Sequence, residues 1–295
     1  MSHITPASRR WAPWSGRTVA NAILILMLVY FLLPLLWLLI SSTKSNADLL
    51  DTFGLWFGHH DALAANLKSI FSYGNGVYLD WLRNTAFYSV TSAVGAAVIS
   101  TTAGYAFAKF SFPGRRMWLG AILISVAVPV TILIVPLFLL LSRMDLINTP
   151  WAFILPSMVQ PFGVYLMLLF AAESLPNEIL EAARVDGASE GHIFRKVVLP
   201  LLAPGFVTVL LFSFVASWNN YFLPLLVFSK PSYFPLTVGL AEWNSQATTG
   251  GVGAGYATTN MVIVGSLVAV IPLVVAFLLL QRYWQEGLTF GSVKG

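Results

Sequence analysis

The 295-residue chain has no cysteine, which excludes disulfides and thiol chemistry and says little about compartment. Charge is almost as scarce. Charged residues make up 9% of the chain and hydrophobic ones 57%, where soluble domains carry roughly 25% charge. No G-x-x-x-x-G-K-[ST] loop occurs, so the chain lacks that nucleotide-binding motif. Charge is absent altogether from six stretches of at least 25 residues: 18–43, 84–108, 117–142, 146–172, 197–229 and 243–281. Ion-coupled carriers usually keep acids, bases or histidines at the midplane as relays, so this absence argues against one. Energy for uphill transport would have to come from another chain.

What remains is a membrane protein. About 20 apolar residues rising 1.5 Å each cross a ~30 Å hydrocarbon core, and a helix satisfies its own backbone there. The ten-residue alternation of a membrane barrel is missing. The expected fold is all-α, one transmembrane domain over residues 1–295. Six spans are expected at about 18–40, 84–108, 117–141, 150–172, 199–223 and 258–280, with a polar loop at 174–198. The first apolar run, Val19 to Ile40, exceeds a signal-peptide core and has no clear cleavage site, so it reads as a retained span. Lys and Arg divide eleven to five between the two sides, with Arg17, Arg115, Arg184 and Lys196 on the richer side and Lys44, Lys68 and Arg143 on the poorer. The positive-inside bias places both termini and the 174–198 loop in the cytoplasm. His59 and His60 fall in an external loop without a metal-ligand pattern and read as solvated.

Charges gather in EAARVDGASEGHIFRKVVLPLLAPG, Glu181 to Gly205. Ser174 and Pro176 suit a helix start, and Glu178 and Glu181 favour its N-terminal end. A helix over about 175–185 follows, with Ile179, Ala182 and Ala183 as a small apolar stripe. Gly187 fits a left-handed stop, and Ser189 can cap a second helix whose Ile193, Phe194 and Val197 face the membrane. Two readings stand at this point: a helix lying among headgroups, or one that docks a protein against its alanines.

Glu181, Ala182, Ala183, Gly187, Ile193 and Leu199-Pro200 resemble the EAA loop of ATP-binding-cassette (ABC) importer permeases. WLRNTAFYSV from Trp81, AGYAFAKFSFPGRR from Ala103, VPVTILIVPLF from Val128, LINTPWAFILP from Leu146 and WNNYFLPL from Trp218 are similar to the carbohydrate-uptake, maltose-type group. The resemblance implies a type I importer permease in the cell membrane, without catalysis of its own. It implies a coupling helix formed by Glu181, Ala182, Ala183, Asp186 and Gly187 that seats on an ATPase. It further implies a second homologous permease, two ATPase subunits carrying ATP and Mg²⁺, and an extracytoplasmic solute-binding protein. No cofactor is expected on this chain, and its other expected contact is membrane lipid, not nucleic acid.

Sugars are held by aromatic faces and by amide or hydroxyl hydrogen bonds, which makes Trp218, Asn219, Asn220 and Tyr221 substrate-pathway candidates. Trp and Tyr as interface markers and Asn as a helix end are the competing reading. Thr248 to Thr259 reads TTGGVGAGYATT where relatives carry a Trp-Gly stretch. Gly250, Gly251, Gly253 and Gly255 there suggest a mobile external loop, either reaching into the binding protein or serving as a plain linker. A membrane scaffold that docks a non-ATPase partner is the alternative function.

Overall fold

Proline and the apolar runs between charges decide where the helices begin, bend and stop. The computed structural model describes residues 14–249 and 254–289. Within them the chain runs α1 (Trp14–Ser42), α2 (Asp48–Asp51), α3 (Leu63–Ser72), α4 (Val77–Lys109), α5 (Arg115–Val126) and α6 (Val130–Arg143). Next come α7 (Trp151–Ser157), α8 (Pro161–Ser174), α9 (Asn177–Val185) and α10 (Glu190–Ile193). A π-helical turn, Phe194–Val198, leads into α11 (Leu199–Leu201), α12 (Ala203–Trp218), α13 (Phe222–Val227), α14 (Leu236–Thr249) and α15 (Ala254–Thr289).

Among the described residues, four helical runs are long and apolar enough to cross a membrane: Gly16–Ser42, Leu63–Lys109, Trp151–Ser174 and Thr259–Gln281. Two bent pairs bring the number to six if each counts as one span. The expected third span, 117–141, is one of them. α5 and the helix after it meet at 111°, because Pro129 is extended (φ −60°, ψ 122°) and disfavours α geometry in the residue before it. The expected fifth span, 199–223, also breaks. At its start the segments Glu190–Leu201 and Ala203–Trp218 meet at 77° beside Leu202 (φ −89°, ψ 4°), where Pro204 has no N–H to return to the carbonyl four residues back.

The helices pack as two compact units, one ending at Leu67 and the other beginning at Lys68. In the first unit α1 buries almost none of its surface except at its last turn, where Ile40, Ser41 and Ser42 are covered. In the second unit α4 is central and packs on α8 and α12. The middle of its buried face is small and close-fitting: Ala93, Ala96, Ala97, Ser100 and Gly104. At Gly104 an added methyl group would meet Met167 Cβ at 2.5 Å and Leu168 N at 2.7 Å. Such small residues let membrane helices approach backbone to backbone. The N-terminal end of α4 is held by aromatics, with Tyr78 stacked on Trp243 at 5.8 Å. The Tyr78 hydroxyl donates to Gly265 O at 2.6 Å.

Candidate functional site

The charge-rich loop is a built structure on an apolar floor. α8 runs to Ser174, so Ser174 belongs to that helix and does not cap the next one. Leu175 is extended and buried, and Pro176 (φ −60°, ψ 137°) takes the capping position of α9. Pro176 has no side-chain acceptor, so the helix start is fixed by backbone geometry. Lys109 Nζ, at the end of α4, donates to Asn177 Oδ1 at 3.0 Å.

α9 stops as its glycine requires. Gly187 has φ +80°, and Ala188 N donates to Ala183 O while Gly187 N donates to Arg184 O, both at 3.0 Å. This pairing is a Schellman stop, which needs a left-handed residue that only glycine adopts without strain. Ser189 occupies the start of α10 as the sequence suggests, but its hydroxyl makes no capping bond there. Across the turn Arg184 grips Glu190, Nε to Oε1 at 2.6 Å and Nη2 to Oε2 at 3.4 Å. The Glu190 carboxylate raises the Arg184 pKa further above its ordinary value.

The two faces of α9 divide differently from the expected stripe. Leu180 is buried and Ala183 packs beside it in a cluster that includes Tyr105, Ala171, Leu175, Ile193, Val198 and Leu202. Ile179 and Ala182 point out. With them stands Val185, 87% exposed, at i, i+3, i+6 spacing along one side of the helix. Glu178, Glu181 and Asp186 surround this outward stripe. Ile193, Phe194 and Val197 belong to the cluster beneath the loop and not to a membrane-facing side, because the π-helical turn rotates them under α9. The sequence reading missed Leu180 and Val185. The threefold spacing 179, 182, 185 was the available signal, but the adjacent Ile179 and Leu180 left the choice of face open.

The four candidates at the end of α12 make separate contacts. Trp218 is buried and its Nε1 donates to Ala269 O at 3.2 Å, so it fastens α12 to α15. Asn220 Oδ1 accepts from Leu223 N at 3.3 Å and its carbonyl accepts from Thr237 Oγ1 at 2.8 Å. Tyr221 is half-buried against Phe222. Asn219 stays exposed, its amide donating to Val215 O at 2.9 Å. Of the glycine-rich segment, Gly250, Gly251 and Gly253 lie outside the described residues, and Gly255 is in the first turn of α15 and not in a loop. Thr248 and Thr249 close α14. Among the described residues no cluster of His, Asp and Glu could hold a metal.

Residues 93–286, which include the whole α9–α12 segment, match the family described as binding-protein-dependent transport system inner membrane component. The chain belongs to that family. It is a non-catalytic membrane permease component. Over 263 residues it is 34% identical to the arabinooligosaccharides transport system permease protein AraQ of Halalkalibacterium halodurans, covering 89% of this chain and 91% of that one. It is 31% identical over 272 residues to the trehalose transport system permease protein SugB of Mycobacterium tuberculosis, covering 92% and 95%. A chain from the crystal structure of a bacterial ABC transporter involved in the import of the acidic polysaccharide alginate superposes with a TM-score of 0.79 at 22% identity, covering 95% of this chain and all of that one. That likeness fixes the fold as the ABC importer permease fold.

Proposed function

We propose that this permease forms half of the translocation pathway of an ABC importer for a sugar or oligosaccharide. α9 serves as the helix that couples it to an ATPase. The observation that carries the reading is the outward stripe Ile179, Ala182 and Val185, ringed by Glu178, Glu181 and Asp186 and seated on a buried cluster. A small apolar strip with a charged rim is what a wet docking surface presents. The cluster beneath ties α9 to α4, α8 and α12, so displacement of the helix is passed to the spans. The remaining assembly is a second homologous permease, two ATPase subunits carrying ATP and Mg²⁺, and an extracytoplasmic solute-binding protein. Both termini and α9 lie on the cytoplasmic side by the positive-inside count. ATP-driven closure of the ATPases would rock the spans between two access states. The sugar class rests on the arabinooligosaccharide and trehalose permeases that this chain resembles. Of the four candidates at the end of α12, Asn219 is the exposed amide left to contact it.

The test uses the reconstituted complex with its binding protein. Among the described residues, its two chain neighbours apart, nothing lies within 4 Å of a methyl group placed on Gly187, so Gly187→Asp costs left-handed strain of up to about 1–2 kcal/mol and any clash with a docked partner. Binding-protein-stimulated ATP hydrolysis should fall sharply while the permease still inserts. Glu181→Lys should weaken ATPase recovery in a salt-dependent way. Full stimulation and recovery in Gly187→Asp and Glu181→Lys would remove the coupling role. Thermal stabilisation of the binding protein across a sugar panel would name the solute, and stabilisation by none would sink the sugar assignment alone.

A further inference from the structure

The segment after α1 sorts its side chains in the reverse of a water-exposed loop. Lys44 is 1% exposed and Asp48 6%, whereas Leu50, Phe53, Trp56 and Phe57 are 61%, 74%, 70% and 58% exposed. Lys44 and Asp48 are used as internal fasteners, while Asp51, His59 and His60 stay exposed. Lys44 Nζ donates to Phe53 O at 2.9 Å, and the Ser45 hydroxyl donates to Asp48 Oδ2 at 2.8 Å. His59 Nδ1 lies 2.6 Å from Asp48 Oδ1 and bridges the loop, while the ring itself stays in solvent as expected. Asn66 Nδ2 bonds Ser42 O and Lys44 O at 2.8 and 2.9 Å. Between Thr52 and Gly58 the sequence TFGLWFG has no charge. The loop therefore spends Lys44 and Asp48 on its own shape and presents aromatics outward beside the exposed Asp51.

Its depth is also fixed. Gly54 lies against the indole of Trp37, where a methyl group would sit 3.5 Å from Trp37 Nε1. Trp37 is five residues before the end of the 27-residue span Gly16–Ser42, hence about 7.5 Å inside it at 1.5 Å per residue. Such a span is about 40 Å long, which matches a bilayer with its headgroups and exceeds the ~30 Å hydrocarbon core. Trp37, and the loop folded back on it, then sit at the boundary between headgroups and acyl chains. Trp and other amphipathic rings favour that layer, and an apolar patch of this size seeks a cover. We infer that Leu50, Phe53, Trp56 and Phe57 form an interfacial anchor that dips into the lipid leaflet at the C-terminal end of α1. The anchor steadies the end of that helix and depends on no particular solute.

The absence of cysteine makes the test clean on this chain. A nitroxide at Trp56→Cys is read in the assembled importer in nanodiscs of phosphatidylethanolamine and phosphatidylglycerol, with the unmutated complex taken through the same labelling as background. Collision with oxygen and with a water-soluble nickel chelate reports the surroundings. The oxygen-to-nickel ratio should be several-fold higher than at Asp61→Cys, an exposed position a few residues on, and unchanged by adding the binding protein. A ratio equal to that at Asp61→Cys would place the patch in water and overturn the inference. Loss of collisions with both reagents would mean that a protein covers it, which overturns it equally. Phe53→Cys gives the same reading if Trp56→Cys does not assemble.

Discussion

α9 and the loop after α1 are short segments of similar apolar content with opposite sorting. α9 turns Leu180 inward and leaves Glu178, Glu181 and Asp186 in water around Ile179, Ala182 and Val185. The loop turns Lys44 and Asp48 inward and leaves Phe53, Trp56 and Phe57 outside. A helix with its own apolar floor needs no lipid, and its charges can meet a soluble partner that binds and lets go. A loop that folds around its charges is suited to a surroundings that does not solvate them. The contrast separates a moving contact from a fixed one, and it can be broken from either side.

The largest effect is expected from spoiling the floor of α9. Ile193 is fully buried in the cluster under the loop, and burying an unpaired carboxylate there costs several kcal/mol. Ile193→Asp should release α9 while the long spans remain inserted. Limited proteolysis should then cut within residues 174–198, and the ATPase should be lost on purification. Normal ATPase recovery with an intact loop would show that α9 does not depend on this cluster.

The difference between these regions also shows what was legible. Hydropathy marked the apolar runs in which α1, α8 and α12 lie, because a spanning helix needs a run of uncharged residues and little else, but it did not mark α14. It did not locate the 111° and 77° bends, since a proline in an apolar run is compatible with either a kink or a stop. Gly187 was legible because a left-handed stop admits few residues. Trp218 was not, because its role depends on Ala269, 51 residues away in sequence. The reversed loop was the least legible of all: sequence marks Lys44 and Asp48 as polar, and polarity alone implies solvent, when here it implies internal bonds.

An intermediate effect is expected from the loop's fastener. Asp48 is held well below the usual carboxylate range, first by the His59 ring and then by the Ser45 hydroxyl. A carboxyl with a depressed folded pKa stabilises fully above its unfolded value and loses that contribution only as pH falls through the folded one. The loop should therefore stay closed from neutral pH down to about pH 4, where ordinary carboxylates titrate, and open only in stronger acid. Protease cutting between Asp51 and His60 would report the opening. In Asp48→Asn the cutting should already be present at neutral pH and should no longer change with acid. A mutant as resistant as the unmodified loop would mean that Lys44 and Asn66 suffice to hold it.

The smallest effect is expected at the pair bridging the α9 turn. Arg184 and Glu190 make two hydrogen bonds across Gly187, which braces α9 against α10 and so favours transmission of movement to α12 through the turn. Their side chains are 40% and 50% exposed, however, so water and salt screen the charges. Arg184→Glu or Glu190→Arg alone should therefore leave ATPase binding largely intact and lower the sugar transported per ATP hydrolysed, more so at low ionic strength than at high. Combining the two restores opposite charges in exchanged positions and should recover most of the ratio. A brace is distinguished in this way from a docking contact, which would lose ATPase recovery before it lost stoichiometry. If the double mutant couples no better than either single one, the residues act separately and the rigidity of the turn rests on the Gly187 backbone alone.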